Sequence, residues 1–248
     1  MSKKRLDHSA YTVSWVTTLH RELVASRLLL DEEHEDLFTN AQDPNSYILG
    51  EIGVHNIVSV FPGEGQSGVV PAAHIVAHMV HASPNIQFGL LIGIGVVAPR
   101  TPDLENSYHD IRLGTSLLLL ENIPTDEAGG MVHYDKGHFE ESGCNANSHV
   151  NKPPDFLLKR AYDKLFKAST FHIGKDNCSM CDSQALEKRI DRDEPTVHYG
   201  LMASGSQVIA SAKRRDELRD KRNILCFETE VAGLINYFPC IAIIGISN

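Results

Sequence analysis

The chain has 248 residues, 42% of them apolar, which is enough to bury one large hydrophobic core. It carries 23 Lys and Arg against 32 Asp and Glu, and the formal net charge of -9 argues against nucleic acid as its main partner. No apolar run approaches the ~18 residues needed to cross a bilayer. With no signal peptide visible, the sequence predicts a cytoplasmic protein without a membrane partner.

A short basic segment, residues 1–9, is predicted to be a flexible N-terminal tail, and residues 10–248 are predicted to form one domain. Strand-like and helix-like patterns alternate along this domain, which favours a central mixed or mostly parallel sheet flanked by helices, an α/β fold. The predicted elements are strand Tyr11–Val16, helix Leu19–Leu30, a hairpin of Ser46–Ile52 and Asn56–Phe61, helix Val70–Ala82, strands Phe88–Ile94 and Ile111–Leu120, helix Asp155–Lys167, strand Tyr199–Ala203, helix Ile209–Arg222, strand Ile224–Phe227, helix Val231–Tyr237 and strand Cys240–Ile246.

Three stretches are polar and lack periodicity. Pro99–Asp110 contains two prolines and is predicted to be a surface loop. Glu121–Pro154 mixes Gly, Asn, His and Pro, which is typical either of part of a binding site or of a mobile segment, and Gly174–Pro195 reads as a long polar excursion. Within it, Cys178 and Cys181 have the spacing of a structural thiol pair, a metal site or a redox pair. The first is favoured because no second CxxC or HxxxH follows.

Two carboxylates one residue apart, Glu228 and Glu230, follow the apolar run that begins at Ile224. If this strand ends at the carboxyl edge of the sheet, where open α/β sheets bind ligands, the pair can reach the vicinal hydroxyls of a sugar. The alternative is that both acids simply favour the N-terminus of the next helix.

The segment Glu228-Thr-Glu-Val231 resembles the Glu-Met-Glu-Ala motif of the purine nucleoside phosphorylase and nucleosidase superfamily, especially the version found in multidomain fungal proteins. The resemblance runs from about residue 10 to 248 and implies a nucleoside phosphorylase-like fold. It also implies that Glu230 grips the ribose hydroxyls with Glu228 beside it. Thr229 stands where the family's Met packs on the sugar.

Further segments extend this resemblance. Leu19-His-Arg-Glu-Leu23 is similar to the nucleosidase segment whose Glu activates water, which implies that role for Glu22, although a lone Glu in a first helical turn is also common on surfaces. Ser204, followed by a glycine, is similar to the step that borders the base. Phe227 is placed either to stack on the purine or to fill the core.

Gly93-Ile-Gly-Val-Val-Ala-Pro99 corresponds to the family's glycine-rich turn under the nucleoside, so Gly95 and Val96 are expected to contact substrate. At the end of the chain, Ile244 stands in place of the family's Arg. Asn248 stands in place of the Asp that protonates N7 of the leaving base. We expect a domain that lacks the family's final helix, with Asn248 contacting N7.

The resemblance predicts cleavage of the N-glycosidic bond of a purine nucleoside, with weak turnover because an amide cannot deliver a proton. Hydrolysis is favoured over phosphorolysis because no arginine pair matches a phosphate clamp. No cofactor or metal is expected, and phosphate is the alternative co-substrate. Two other hypotheses remain, a nucleoside-binding or sensory module that has lost turnover and a truncated product without function. Relatives commonly form dimers, trimers or hexamers, which favours a homo-oligomer.

Overall fold

The structure is a computed structural model, and it describes residues 3–38, 40–62, 68–103, 110–112, 116–120, 130–134, 164–171, 173, 178–189, 197–209, 211–235, 237 and 239–246. These ranges contain eleven strands and four α-helices. The strands are β1 Val13–Val16, β2 Glu32–Glu33, β3 Ser46–Ile52, β4 His55–Phe61, β5 Phe88–Val97, β6 Ser116–Leu120, β7 Gly130–His133, β8 Val197–Tyr199, β9 Leu201–Ser204, β10 Cys226–Glu228 and β11 Cys240–Ile246. The helices are α1 His20–Leu28, α2 Val69–Ala82, α3 Ala212–Arg222 and α4 Val231–Leu234.

The sheet is mixed, as the sequence predicts. Strand β1 lies between β4 and β5 and is parallel to both, and β11 runs parallel to β5 along seven residue pairs. The hairpin partner β3 is antiparallel to β4, β2 is antiparallel to β3, and β6 joins β11 in the antiparallel sense. Beyond β6 lies β8, which is parallel to it.

Strand β5 links this main sheet to a second group of strands. Its last residues, Val96 and Val97, pair with β10 in the antiparallel sense. Strand β9 is parallel to β10, and β7 is parallel to β9. Because β5 takes part in both groups, it fixes the position of β10 relative to β1.

The main core lies between the sheet and helix α2. The buried residues of α2, Ala72, Ile75, Val76 and Met79, are spaced three or four apart and therefore share one face of the helix. Helix α4 packs closely on the start of α2. The space there admits only a glycine, since a Cβ at Gly233 would lie 2.2 Å from the carbonyl oxygen of Val69. None of the described helices is long and apolar enough to span a membrane.

Several predicted elements differ in extent. Gly93–Val97 belongs to strand β5, so the glycine-rich turn expected there is wrong. β-Branched Val96 and Val97 suit a pleated strand better than a turn that needs unusual φ angles. Lys164–Lys167 is not helical and pairs with residues 185–187, while the rest of the helix predicted over 155–167 lies outside the described residues. Strand β7 was not predicted.

Two further segments differ from their expected character. Asp110, the last residue of the expected surface loop, is buried and forms ion pairs with Arg112 and Arg189. Near the N-terminus, Lys4 forms an ion pair with Glu51 of β3, and residues 8–10 form one turn of 3-10 helix. The segment expected to be a tail therefore makes specific contacts with the sheet.

Candidate active site

The carboxyl ends of β1 and β10 approach the same stretch of β5. Strand β1 runs parallel to β5 and its last residue, Val16, pairs with Leu91. Strand β10 runs in the opposite direction, pairs with Val96 and Val97, and ends at Glu228. Residues 92–95 of β5 therefore separate the two strand ends. Glu228 is the last residue of β10, and the segments that follow the two strands carry Glu22 and Glu230.

Glu228 holds the start of helix α4. Its side chain is only 3% exposed, and its Oε2 accepts the backbone N–H groups of Glu230 at 2.7 Å and Val231 at 2.8 Å. Ser204, which pairs with Glu228 in the sheet, accepts the N–H of Ala232 at 3.0 Å through its Oγ. Two side chains from neighbouring parallel strands thus satisfy three N–H groups that a helix start leaves without intrahelical partners.

The environment of Glu228 favours its neutral form. Burial raises the pKa of this carboxyl to about 7, and the charge of Glu230 adds to the rise, while the Ser204 hydroxyl and the N–H groups of Val231 and Glu230 lower it. Its second oxygen, Oε1, is buried and accepts no hydrogen bond of normal geometry from the described residues. Glu228 is therefore a largely desolvated acid whose charge changes near neutral pH.

Glu230 lies at the junction of three segments and is 8% exposed. Its Oε1 accepts the hydroxyl of Thr229 at 2.5 Å and the backbone N–H of Gly68 at 3.4 Å, and its Oε2 accepts the N–H of Thr229 at 3.2 Å. Gly68 precedes α2 with a φ of 105°, a conformation that favours glycine. Gly63 and Gly65 of the same glycine-rich segment lie outside the described residues, and the N–H of Gly68 is directed at a carboxylate.

Glu22 approaches the site from α1. It is 8% exposed, and its Oε2 accepts the N–H groups of Thr18 and Leu19, each at 3.0 Å, while Oε1 is buried and has no hydrogen-bond partner among the described residues. Burial raises the pKa of the Glu22 carboxyl, the two N–H contacts oppose the rise, and the charge of Glu230 adds to it. The structure therefore brings Glu22 and Glu230 close enough to interact electrostatically.

A small cavity of about 140 Å³ has Glu228 and Thr229, the two residues before Glu230, in its lining. Its walls are mostly apolar, and the buried ring of Phe227 meets the ring of Tyr134 edge to face at 5.4 Å and 84°. The cavity is lined by Ile94, Gly95, Val96, Tyr134, Val208, Ile209, Arg215, Phe227, Glu228 and Thr229. Five of these lining residues were predicted from the sequence as site residues: Gly95, Val96, Phe227, Glu228 and Thr229.

Five lining residues were not among the predicted site residues: Ile94, Tyr134, Val208, Ile209 and Arg215. Tyr134 follows β7 in the stretch without periodicity, and only its aromatic character signals a role. Arg215 is in the first turns of α3, where it forms an ion pair with Asp216, and it reads in the sequence as part of an exposed basic cluster.

The close packing around Gly95 explains a glycine inside a strand. A Cβ at this position would lie 2.5 Å from Cγ2 of Ile244 and 2.9 Å from the carbonyl oxygen of Phe227. Ile244 is 1% exposed and fills the core beneath the cavity.

Asn248 lies outside the described residues. Cys178 and Cys181 are reduced thiols that are not part of the cavity lining, and among the described residues no group of three or more His, Cys, Asp or Glu is arranged to hold a metal ion.

No protein-family model matches the chain. It is 32% identical, over 95% of its length, to a nucleotide-binding leucine-rich repeat (NLR)-like protein of Hyaloscypha variabilis. The chain spans about a quarter of that protein, 26% of its length.

Solved nucleosidase structures share the overall fold of the chain and are only weakly similar to it in sequence. Futalosine hydrolase of Helicobacter pylori strain 26695 has a TM-score of 0.56 and 14% identity, covering 97% of this chain and 85% of that one. The 5′-methylthioadenosine/S-adenosyl homocysteine nucleosidase of the same species has a TM-score of 0.57 and 15% identity, covering 96% and 85%. A mutant of it with 5′-methylthioadenosine in the active site has a TM-score of 0.55 and 17% identity, covering 100% and 86%. The chain therefore has a mixed α/β fold of the nucleosidase and nucleoside phosphorylase type.

Proposed function

We propose that the chain cleaves the N-glycosidic bond of a purine nucleoside, and that water is the nucleophile. The observation that carries this proposal is the electrostatic interaction between Glu22 and Glu230, which follow the carboxyl ends of β1 and β10, together with the apolar cavity that Glu228 and Thr229 line next to Glu230. Cleavage of this bond develops positive charge on the sugar, and carboxylates fixed nearby stabilise that charge. Nucleosidases of similar fold support the same reaction class.

Each carboxylate has a role in this reaction. Glu230 binds the ribose hydroxyls. Glu22 accepts a proton from water while the water oxygen bonds to the anomeric carbon, the carbon–nitrogen bond breaks and its electron pair stays with the base. The unpartnered Oε1 of Glu22 is suited to hold that water, and a pKa raised by burial makes its carboxylate a better base.

The cavity holds the base in this proposal. Phe227, Val96 and Gly95 line it, and the hydrophobic wall favours a flat ring over water. Asn248 is assigned a contact with N7 of the base through the sequence resemblance alone. Because an amide donates a hydrogen bond but no proton, N7 takes its proton from solvent, and we expect slow turnover.

The surroundings of Glu230 favour water over phosphate. Glu22 and Glu230 interact electrostatically at the site, and negative charge on either carboxylate opposes the approach of an anion. The N–H of Gly68 is already directed at Glu230. Arg215, the one cationic side chain lining the cavity in the described part of the chain, is paired with Asp216.

Incubation with adenosine, inosine, guanosine and uridine, with and without phosphate, tests this proposal when the products are separated by chromatography. We expect free purine base together with ribose, at a rate that phosphate does not change. Ribose 1-phosphate formed only when phosphate is present would contradict the choice of nucleophile. Absence of free base from every nucleoside would contradict the enzymatic activity.

A second candidate function is a nucleoside-binding sensory module without efficient turnover. It is favoured by the similarity to an NLR-like protein of which the chain spans about a quarter. The same pocket would then bind a nucleoside and release it unchanged. Calorimetric binding of a purine nucleoside without release of free base would support this function over the enzyme.

A further inference from the structure

Thr229 connects the cavity to the carboxylate of Glu230. Its side chain lines the cavity together with Phe227 and Val96. The Thr229 hydroxyl donates a hydrogen bond to Oε1 of Glu230, with 2.5 Å between the two oxygens. The backbone N–H of Thr229 is directed at Oε2 of the same residue. One residue therefore faces the proposed base position and also orients the proposed sugar-binding acid.

The hydrogen-bonding capacity of this hydroxyl is only partly used. A threonine hydroxyl has one proton to donate and two lone pairs that can accept. The proton is directed at Glu230, and no donor to Oγ1 is found in the part of the chain that the structure describes. The group that best completes this site is therefore a hydrogen-bond donor, such as the hydroxyl of a sugar.

The position of Thr229 selects one sugar hydroxyl. In a nucleoside, the 2′-hydroxyl is on the carbon next to the one that carries the base. A nucleoside whose base occupies the cavity would therefore place its sugar 2′-hydroxyl nearest to Thr229, which borders both the cavity and Glu230. The 3′- and 5′-hydroxyls are farther from the base.

We propose that Thr229 determines sugar specificity: its hydroxyl accepts a hydrogen bond from the ribose 2′-hydroxyl while it donates a hydrogen bond to Glu230. This inference rests on the proposed function, because it assumes a nucleoside in the cavity. The site then discriminates against 2′-deoxynucleosides, which leave the Thr229 oxygen without a donor. Loss of one such hydrogen bond weakens binding about tenfold.

A cycle of protein and ligand changes tests this role. Dissociation constants of adenosine, 2′-deoxyadenosine and 3′-deoxyadenosine are measured by calorimetric titration of the wild-type chain, Thr229→Val and Thr229→Ser, with free base assayed after each run. Valine has the shape of threonine without the hydroxyl, and serine keeps the hydroxyl. Thermal unfolding of each variant verifies that it is folded.

We expect Thr229→Val to bind adenosine and 3′-deoxyadenosine about tenfold more weakly than the wild type and 2′-deoxyadenosine equally well. Thr229→Ser should keep the wild-type preference for the 2′-hydroxyl. An equal loss for all three ligands would show that Thr229 only orients Glu230, and would overturn this inference while leaving the proposed function intact. A folded wild-type chain that binds none of the three would overturn both.

Discussion

Ser204 and Glu228 stand opposite each other at the ends of two paired parallel strands, and both accept N–H groups from the same short helix. The strand pairing therefore fixes the start of α4, and with it the position of Glu230, which immediately precedes that helix. Because Oε2 of Glu228 already accepts two N–H groups, Glu228 is better placed to hold Glu230 in position than to bind a sugar hydroxyl through Oε2. Glu228 still lines the cavity, and its buried Oε1 accepts no hydrogen bond of normal geometry from the described residues.

The buried Glu228 predicts a pH dependence of stability. Its pKa rises from an ordinary value of 4.5 to about 7 in the folded chain. Between these values the unfolded chain releases a proton that the folded chain keeps, so this residue lowers stability as pH rises from about 4.5 to about 7, by on the order of 3 kcal/mol. Glu228→Gln should therefore gain stability relative to the wild type over this range, measured as the free energy of unfolding in urea at pH 5 and pH 8.

Ser204→Ala tests the same pair from the neighbouring strand. It removes the cap of the Ala232 N–H, which costs about 1 kcal/mol, and it also removes the hydroxyl that lowers the pKa of Glu228. We therefore expect a larger cost at pH 8, where Glu228 is charged, than at pH 5. A difference between wild type and Glu228→Gln that is constant with pH would contradict a raised pKa at Glu228.

Glu230 should control ligand binding with little effect on the fold. In Glu230→Gln, the amide oxygen can still accept the Thr229 hydroxyl, but the charge that binds sugar hydroxyls is lost. We expect the affinity for adenosine to fall at least about tenfold and the free energy of unfolding to change by less than about 1 kcal/mol. Titration calorimetry and urea unfolding measure the two quantities. The exposed Glu217→Gln on α3 is the control, and unchanged affinity in Glu230→Gln would contradict the assigned role.

Two glycines on β5 make a matched test of the packing beneath the cavity. Gly95→Ala forces a Cβ against Ile244 and the backbone of Phe227, which should cost about 1–3 kcal/mol. In Gly93→Ala, the new Cβ would lie 3.5 Å from Cδ1 of Ile244, an ordinary contact, so we expect a change within about 0.5 kcal/mol. Equal stability of the two variants in urea unfolding would show that Gly95 is not constrained in this way.

Much of the fold could be predicted from local sequence patterns. The hairpin of β3 and β4 and the last strand, Cys240–Ile246, were predicted at or within one residue of their observed bounds. These elements contain short apolar runs of strand length, and Gly53 marks the turn between the two strands of the hairpin. Gly93–Val97 was placed in a turn because the segment corresponds to the family's glycine-rich turn, but β10 and β11 pair with these residues and keep the backbone extended.

The site could be predicted only in part. Glu228 and Glu230 stand out because two acids follow a strand, but the sequence does not show that the first accepts two N–H groups of the next helix. Tyr134 reaches the cavity through the pairing of β7 with β9, a contact between residues about 70 positions apart. Such pairings leave no periodic signal, so the aromatic wall opposite Phe227 could not be predicted.

The most direct test of the proposed activity compares the wild-type chain with Glu22→Gln on adenosine in phosphate-free buffer, measuring free adenine over time and the dissociation constant separately. Glutamine can keep the hydrogen bonds from Thr18 and Leu19 but cannot take a proton from water. We predict that the wild type releases adenine and ribose, and that Glu22→Gln binds adenosine with similar affinity but releases adenine about 10²–10⁴-fold more slowly. Equal rates in the two proteins, or binding by the wild type without any release of adenine, would contradict hydrolysis at this site.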